Sequence, residues 1–115
     1  MRTSSAKAKG RRLQNWVCDE LKKRFGFTED DARVAIMGEA GADVKLSARA
    51  RNAVPIKIEC KNHEAFANVY KAYEQAASHE GKEEPVVFIK RNRHKVLVIL
   101  DANYFLELVS MNVKR

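Results

Sequence analysis

Two short segments that alternate apolar and polar side chains constrain this chain more than any other feature. In Pro55-Ile-Lys-Ile-Glu-Cys-Lys61 the side chains of Ile56, Ile58 and Cys60 fall on one face and those of Lys57, Glu59 and Lys61 on the other. Asp43 to Ser47 repeats the pattern, with Val44 and Leu46 opposite Asp43, Lys45 and Ser47. A period of two means strands, and residues 48–54 are a short enough connection to pair them as a hairpin. Pairing would set Asp43 beside Glu59. Two adjacent carboxylates repel unless a cation lies between them, and oxygen ligands favour a hard divalent ion, Mg²⁺ first. The alternative is a ladder of surface ion pairs on an exposed sheet face.

Asp43, fifteen residues, then Glu59-Cys60-Lys61 resembles the D…(D/E)-x-K signature of the PD-(D/E)XK nuclease superfamily. Ala42 stands where that family usually has proline. Within the superfamily the pattern is most similar to the small archaeal-type and phage Holliday-junction resolvases, over residues 9 to about 100. The resemblance implies a restriction-endonuclease-like α/β fold, a mixed sheet flanked by helices, and Mg²⁺-dependent cleavage of branched DNA, with Mn²⁺ able to substitute. It casts Asp43, Glu59 and the backbone carbonyl of Cys60 as metal ligands, and Lys61 as the group that orients the attacking water. Resolvases carry a first-helix glutamate after a Lys-Gly pair; here Lys9-Gly10 is followed by Gln14, ranked first for that supporting role, with Glu20 second. Glu39 could add a ligand or be an ordinary solvated turn acid. Several relatives carry a glutamine on the helix after the E-x-K strand, which makes Gln75 a catalytic candidate ahead of Glu74. A VRR-NUC-like module, acting on other DNA or RNA structures, shares the E-x-K strand and later glutamine. A non-catalytic basic nucleic-acid-binding module is the rival from a different class, favoured by the missing glutamate.

Charge supports a polyanionic partner. Lys and Arg number 22 against 15 acids in 115 residues, a formal net charge of +7, and the isoelectric point is near 9.6. Candidate phosphate contacts are Lys7, Lys9, Arg11 and Arg12 on the first segment, Arg49 and Arg51 after the first strand, and Arg91 and Arg93 in a basic turn. His63 and His79 could serve as general bases, but this chemistry does not require histidine, and both read first as surface or DNA-contacting positions. No apolar run is long enough to span a membrane, and the basic start lacks an apolar core like that of a signal peptide, so a cytoplasmic protein is expected. Cys18 and Cys60 fall on apolar faces without metal-site spacing and are expected to be buried and reduced.

In chain order, residues 1–9 are expected to form a flexible basic arm, followed by a nuclease domain over 10–115. A helix is expected from Gly10 or Arg11 to Phe25, closed by Gly26, with Leu13, Val17 and Leu21 on its inner face. Thr28 caps a short helix or extended piece through Ile36. A second long helix is expected over 64–80, then a loop over 81–85, strands at 86–90 and 95–100, and a closing helix after Asp101. A junction cut on two opposed strands needs two sites, so a homodimer is expected. Phe66, Tyr70 and Tyr73, with Phe105 and Leu108, are the candidate buried surfaces.

Overall fold

The computed structural model describes residues 4–65 and 68–112. They form one α/β unit in which α1 (Ser4–Phe25) lies along a five-stranded mixed sheet. The strands are β1 (Ala32–Val34), β2 (Val44–Leu46), β3 (Ile56–Asn62), β4 (Glu84–Lys90) and β5 (Leu97–Ile99), adjacent in chain order. Only β3 and β4 run parallel. A parallel pair needs a crossover, and α3 (Val69–Ala77) lies within that connection and packs back on both strands. The expected β2–β3 hairpin forms, with Val44 opposite Ile58. The sheet flanked by helices matches the coarse architecture expected from the alternating segments.

The core lies between α1 and one sheet face. Leu13, Val17, Cys18 and Leu21 pack with Val44, Leu46, Ile58 and Cys60. Ile58, Val17 and Val44 are among the largest fully buried side chains, so the apolar half of the period-two pattern points inward as read. Gly26 closes α1 with a left-handed φ of 69° and an N–H donated to the Lys22 carbonyl at 2.9 Å. Lys22, Lys23 and Arg24 occupy the last turn, where cations complement the helix dipole.

Several boundaries differ from expectation. The helix begins at Ser4, so residues 4–9 are its first turns rather than a flexible arm; residues 1–3 lie outside the described residues. Ala and Lys there are good helix formers without an apolar stripe, and Asn62 Nδ2 ties the segment down by donating to the Lys9 carbonyl at 2.8 Å. Thr28 does not cap a helix: its N–H and hydroxyl both donate to Asp31, and the chain continues into β1. The connection between the two strands contains a helix, α2 (Ala48–Ala53), capped by the Ser47 side chain. The expected helix over 64–80 is shorter, because Asn68 caps it by accepting from the Lys71 N–H at 3.1 Å. The last helix, α4 (Ala102–Met111), starts where expected, with Asp101 accepting from the Asn103 N–H at 2.9 Å.

Candidate active site

The β2–β3 hairpin positions the first carboxylate. Asp43 sits just before β2, its N–H donated to the Ile58 carbonyl at 2.9 Å, and its Oδ2 accepts from the Cys60 N–H at 2.8 Å. The side chain therefore bridges to the strand that carries Glu59. Partial burial pushes the Asp43 carboxyl above its ordinary pKa. The Cys60 N–H opposes that shift, neighbouring Glu59 adds to it, and Lys61 and His79 act weakly against it. The pairing of Val44 with Ile58 brings Asp43 alongside the strand that carries Glu59, as the alternating segments imply.

Glu59 is only 4% exposed. A charge buried to that degree requires partners, and α3 provides them. Gln75 Nε2 donates to Glu59 Oε2 at 3.0 Å, and His79 Nε2 lies 2.9 Å from Glu59 Oε1. Lys61 Nζ donates to Gln75 Oε1 at 2.7 Å and stands 3.6 Å from Glu59 Oε2. An amide fits between Lys61 and Glu59 because it accepts from an ammonium and donates to a carboxylate at once. The polar face of β3 is consequently covered, not the solvent-facing ladder of ion pairs that the alternative reading allowed. Lys57, also buried, donates to the carbonyls of Ala77 at 3.2 Å, His79 at 2.6 Å and Gly81 at 3.2 Å. It fixes the end of α3 over the same strand.

Gln14 and Asp43 line one groove of about 410 Å³, together with Lys7, Arg11 and Glu39. A second, of about 250 Å³, runs past Lys61, His63, Lys71 and Gln75. A third, of about 460 Å³, runs past Ala42, Lys45 and His79 and is lined by neither Asp43 nor Glu59. Glu20, the second choice behind Gln14, is not brought to the site: it pairs with Arg24 at 2.7 Å and Lys23 at 3.6 Å, about 9 Å further along the helix axis. Glu39 reaches the groove, but both oxygens are held by Arg33, at 2.9 and 2.8 Å, and one also by the Ile36 N–H. Arg33 is the main reason its carboxyl is lowered to about 2. Glu39 holds the turn before Asp43 in shape.

The basic candidates divide. Arg49 pairs with buried Asp31 at 2.7 Å and covers the Phe27 ring at 5.7 Å. Arg51 donates to the Leu46 carbonyl at 2.7 Å and lies 3.5 Å from Glu83. Both are engaged within the protein. Lys9 stands 3.4 Å from Glu64, whereas Lys7, Arg11, Arg12, Arg91 and Arg93 have exposed side chains. Cys18 and Cys60 are free and buried, as expected, and burial raises both thiols.

His79, read from the sequence as a surface or DNA-contacting position, instead turns inward onto Glu59. Its spacing, four residues after Gln75, already put it on the same side of the helix as that amide; its carboxylate partner on β3 is what the spacing does not reveal.

Among the described residues, no group of three or more His, Cys, Asp or Glu side chains is gathered so as to hold a metal unaided. Asp43, Glu59 and the Cys60 carbonyl are hard oxygen donors, and mutual repulsion of the two acids favours a cation near them. That set fits Mg²⁺, which commonly takes one or two carboxylates and leaves its other positions to water and phosphate. Comparison with protein-family models, curated proteins and solved structures finds no match to this chain.

Proposed function

We propose that this chain is a Mg²⁺-dependent endonuclease of the PD-(D/E)XK type, with a restriction-endonuclease-like fold, acting in the cytoplasm on branched DNA. The observation that carries this is the convergence of Asp43, nearly buried Glu59 and Lys61 on one hairpin, with Gln75 bridging Lys61 and Glu59 from α3. A surface ion-pair ladder gives no reason to bury Glu59 or to cover it with two hydrogen-bonding side chains.

Asp43, Glu59 and the Cys60 carbonyl would hold Mg²⁺, and Mn²⁺ in its place. When bound, the ion offsets charge on the phosphate and makes a coordinated water more acidic. Lys61 provides a compact positive charge for the water and for the charge that develops on phosphate oxygens. Gln75 fixes the Lys61 ammonium. Gln14, beside Asp43, can hydrogen-bond water in the groove but brings no charge. Lys7 and Arg11 line that groove and Lys71 the one beyond Lys61, which suits a phosphate backbone crossing the hairpin.

Paired cuts across a junction call for two copies of the chain. Among the expected surfaces, Tyr70, Phe105 and Leu108 are 78%, 51% and 40% exposed, and α4 buries none of its residues. Tyr73 is half-buried, and Phe66 lies outside the described residues. A twofold pair in which α4 is covered is the assembly we propose. No helix among the described residues is long and apolar enough to cross a membrane.

The second reading is a basic nucleic-acid-binding module without catalysis. It is favoured by Gln14 standing in place of an acid and by both Glu59 oxygens already meeting protein donors. One gel separates the two: four-way junction, nicked, flap, duplex and single-stranded substrates incubated with the protein in Mg²⁺ or EDTA. Mg²⁺-dependent cleavage of the junction supports the enzyme, cleavage confined to other substrates supports a VRR-NUC-like activity, and binding without cleavage supports the module.

A further inference from the structure

The contact between His79 and Glu59 is not needed to explain the residue types the nuclease pattern requires, yet it occupies one oxygen of a buried carboxylate. His79 follows the last turn of α3, with Nε2 at 2.9 Å from Glu59 Oε1. Gln75 occupies the other oxygen at 3.0 Å. A carboxylate held at one oxygen can still turn about its terminal bond, which is a broad, soft torsion. Held at both oxygens, by Gln75 on α3 and by His79 just past its end, it cannot. Each carboxylate oxygen has about two acceptor sites, so one donor per oxygen leaves one acceptor site on each.

The ring itself is fixed from behind. Lys57 lies two residues before Glu59 on the same face of β3, and its Nζ donates to the His79 carbonyl at 2.6 Å. It also takes the carbonyls of Ala77 and Gly81, so the chain on both sides of His79 is anchored. A closed circuit results: the Lys57 side chain, the His79 backbone, the imidazole, Glu59, and back along β3. The imidazole is mostly buried, at 19% exposure. The side chain that this circuit holds in place ends on Glu59.

We propose that His79 is a positioning residue for Glu59: it sets which acceptor sites of that carboxylate remain open to a divalent cation, and Lys57 holds it in place through the backbone. This rests on the nuclease reading, in which Glu59 is a metal ligand. For Nε2 to donate to Glu59, the imidazole carries its proton there. The role then requires a donor at that reach rather than an aromatic ring.

Two replacements separate donor from bulk. His79→Leu fills the space without a donor, and His79→Gln restores an N–H at similar reach. Mn²⁺ is titrated into the full chain without DNA, followed by electron paramagnetic resonance or calorimetry, alongside wild type and Asp43→Asn. Junction affinity in EDTA and thermal melting are measured on the same samples. Loss of a partner that orients a metal ligand commonly costs 10–100-fold in metal affinity. His79→Leu should therefore weaken Mn²⁺ binding by about 10–100-fold, with junction affinity unchanged, and His79→Gln should recover most of the loss. Equal Mn²⁺ affinity in His79→Leu and wild type would overturn the inference. So would a loss that His79→Gln fails to recover, because the ring's packing would then be its whole role. If His79→Leu melts below the assay temperature, His79→Asn, whose amide is too short to reach Glu59, takes its place under the same criteria. Absence of Mn²⁺ binding by the wild type, or undiminished binding by Asp43→Asn, would instead remove the nuclease reading, and this inference with it.

Discussion

Lys57→Met tests how the site is held together. The residue is 8% exposed, and its ammonium donates to three carbonyls at 3.2, 2.6 and 3.2 Å. Methionine keeps most of the apolar stem and removes only the charge and its donors, so packing changes little. A hydrogen bond to a charged group contributes roughly 1.5–3 kcal/mol. Three such bonds do not add: Ala77 and Gly81 are exposed, so water replaces much of what their carbonyls lose. The variant also no longer desolvates an ammonium, which offsets part of the loss. One bond's worth, about 2 kcal/mol, is the expected net destabilisation. In a domain of this size that corresponds to a fall in Tm of roughly 6–12 °C. Scanning calorimetry at pH 7 reads it directly, with Ile58→Val as a core-softening control of the milder kind. Below its melting temperature, Lys57→Met should also show weakened Mn²⁺ binding, whereas Ile58→Val should not. An unchanged or raised Tm would refute the anchoring role of Lys57.

Lys61→Ala should lower the cleavage rate at saturating junction by at least roughly a hundredfold, the scale for removing one transition-state charge stabiliser; single-turnover kinetics check this, and Lys61→Arg should not restore it fully. Arg91→Gln combined with Arg93→Asn should weaken junction binding about equally across sequences and flatten its salt dependence by roughly one to two units of slope, at about 0.9 per lost contact. Asparagine is chosen at 93 because that residue has a φ of 63°. Asp31→Asn addresses acid stability: Arg49, the Thr28 N–H and hydroxyl, and Ser47 hold the Asp31 carboxyl below its ordinary pKa. A depressed folded pKa contributes stability above the unfolded value, about 4, and that contribution is lost as pH falls from there toward the folded value. The Tm gap between wild type and Asp31→Asn should thus be widest near neutrality and close in strong acid, as melts across the acid range would show.

The hairpin was legible because its information is local: Val44, Leu46, Ile58 and Cys60 alternate with polar residues, and all four are buried against α1. The burial of Lys57 and Glu59 was not, because their partners Gln75, Ala77, His79 and Gly81 come from the other side of a crossover and no period in β3 encodes them. Strand β1 was hidden by its length of 3 residues, with exposed Arg33 at its centre. Helix α2, of 6 residues, is too short for a 3.6-residue period to show, although Ser47 before Ala-Arg-Ala-Arg was a usable capping signal. The helix over 64–80 was drawn too long because Asn68, its true cap, passed as an interior residue. Arginines 49 and 51 were read from charge alone, and charge does not reveal that Asp31 and Glu83 fold back to meet them.

The most direct test of the site is cleavage of an end-labelled four-way junction by wild type, Asp43→Asn and Glu59→Gln, in Mg²⁺ and in EDTA, with binding followed in parallel. Asp43 and Glu59 face each other across the hairpin, and each replacement removes one oxygen-bearing charge without removing volume. The wild type should cut in Mg²⁺ and not in EDTA, while both variants bind the junction at least as tightly and do not cut. Cleavage by either variant at the wild-type rate, or by the wild type in EDTA, would contradict the assignment.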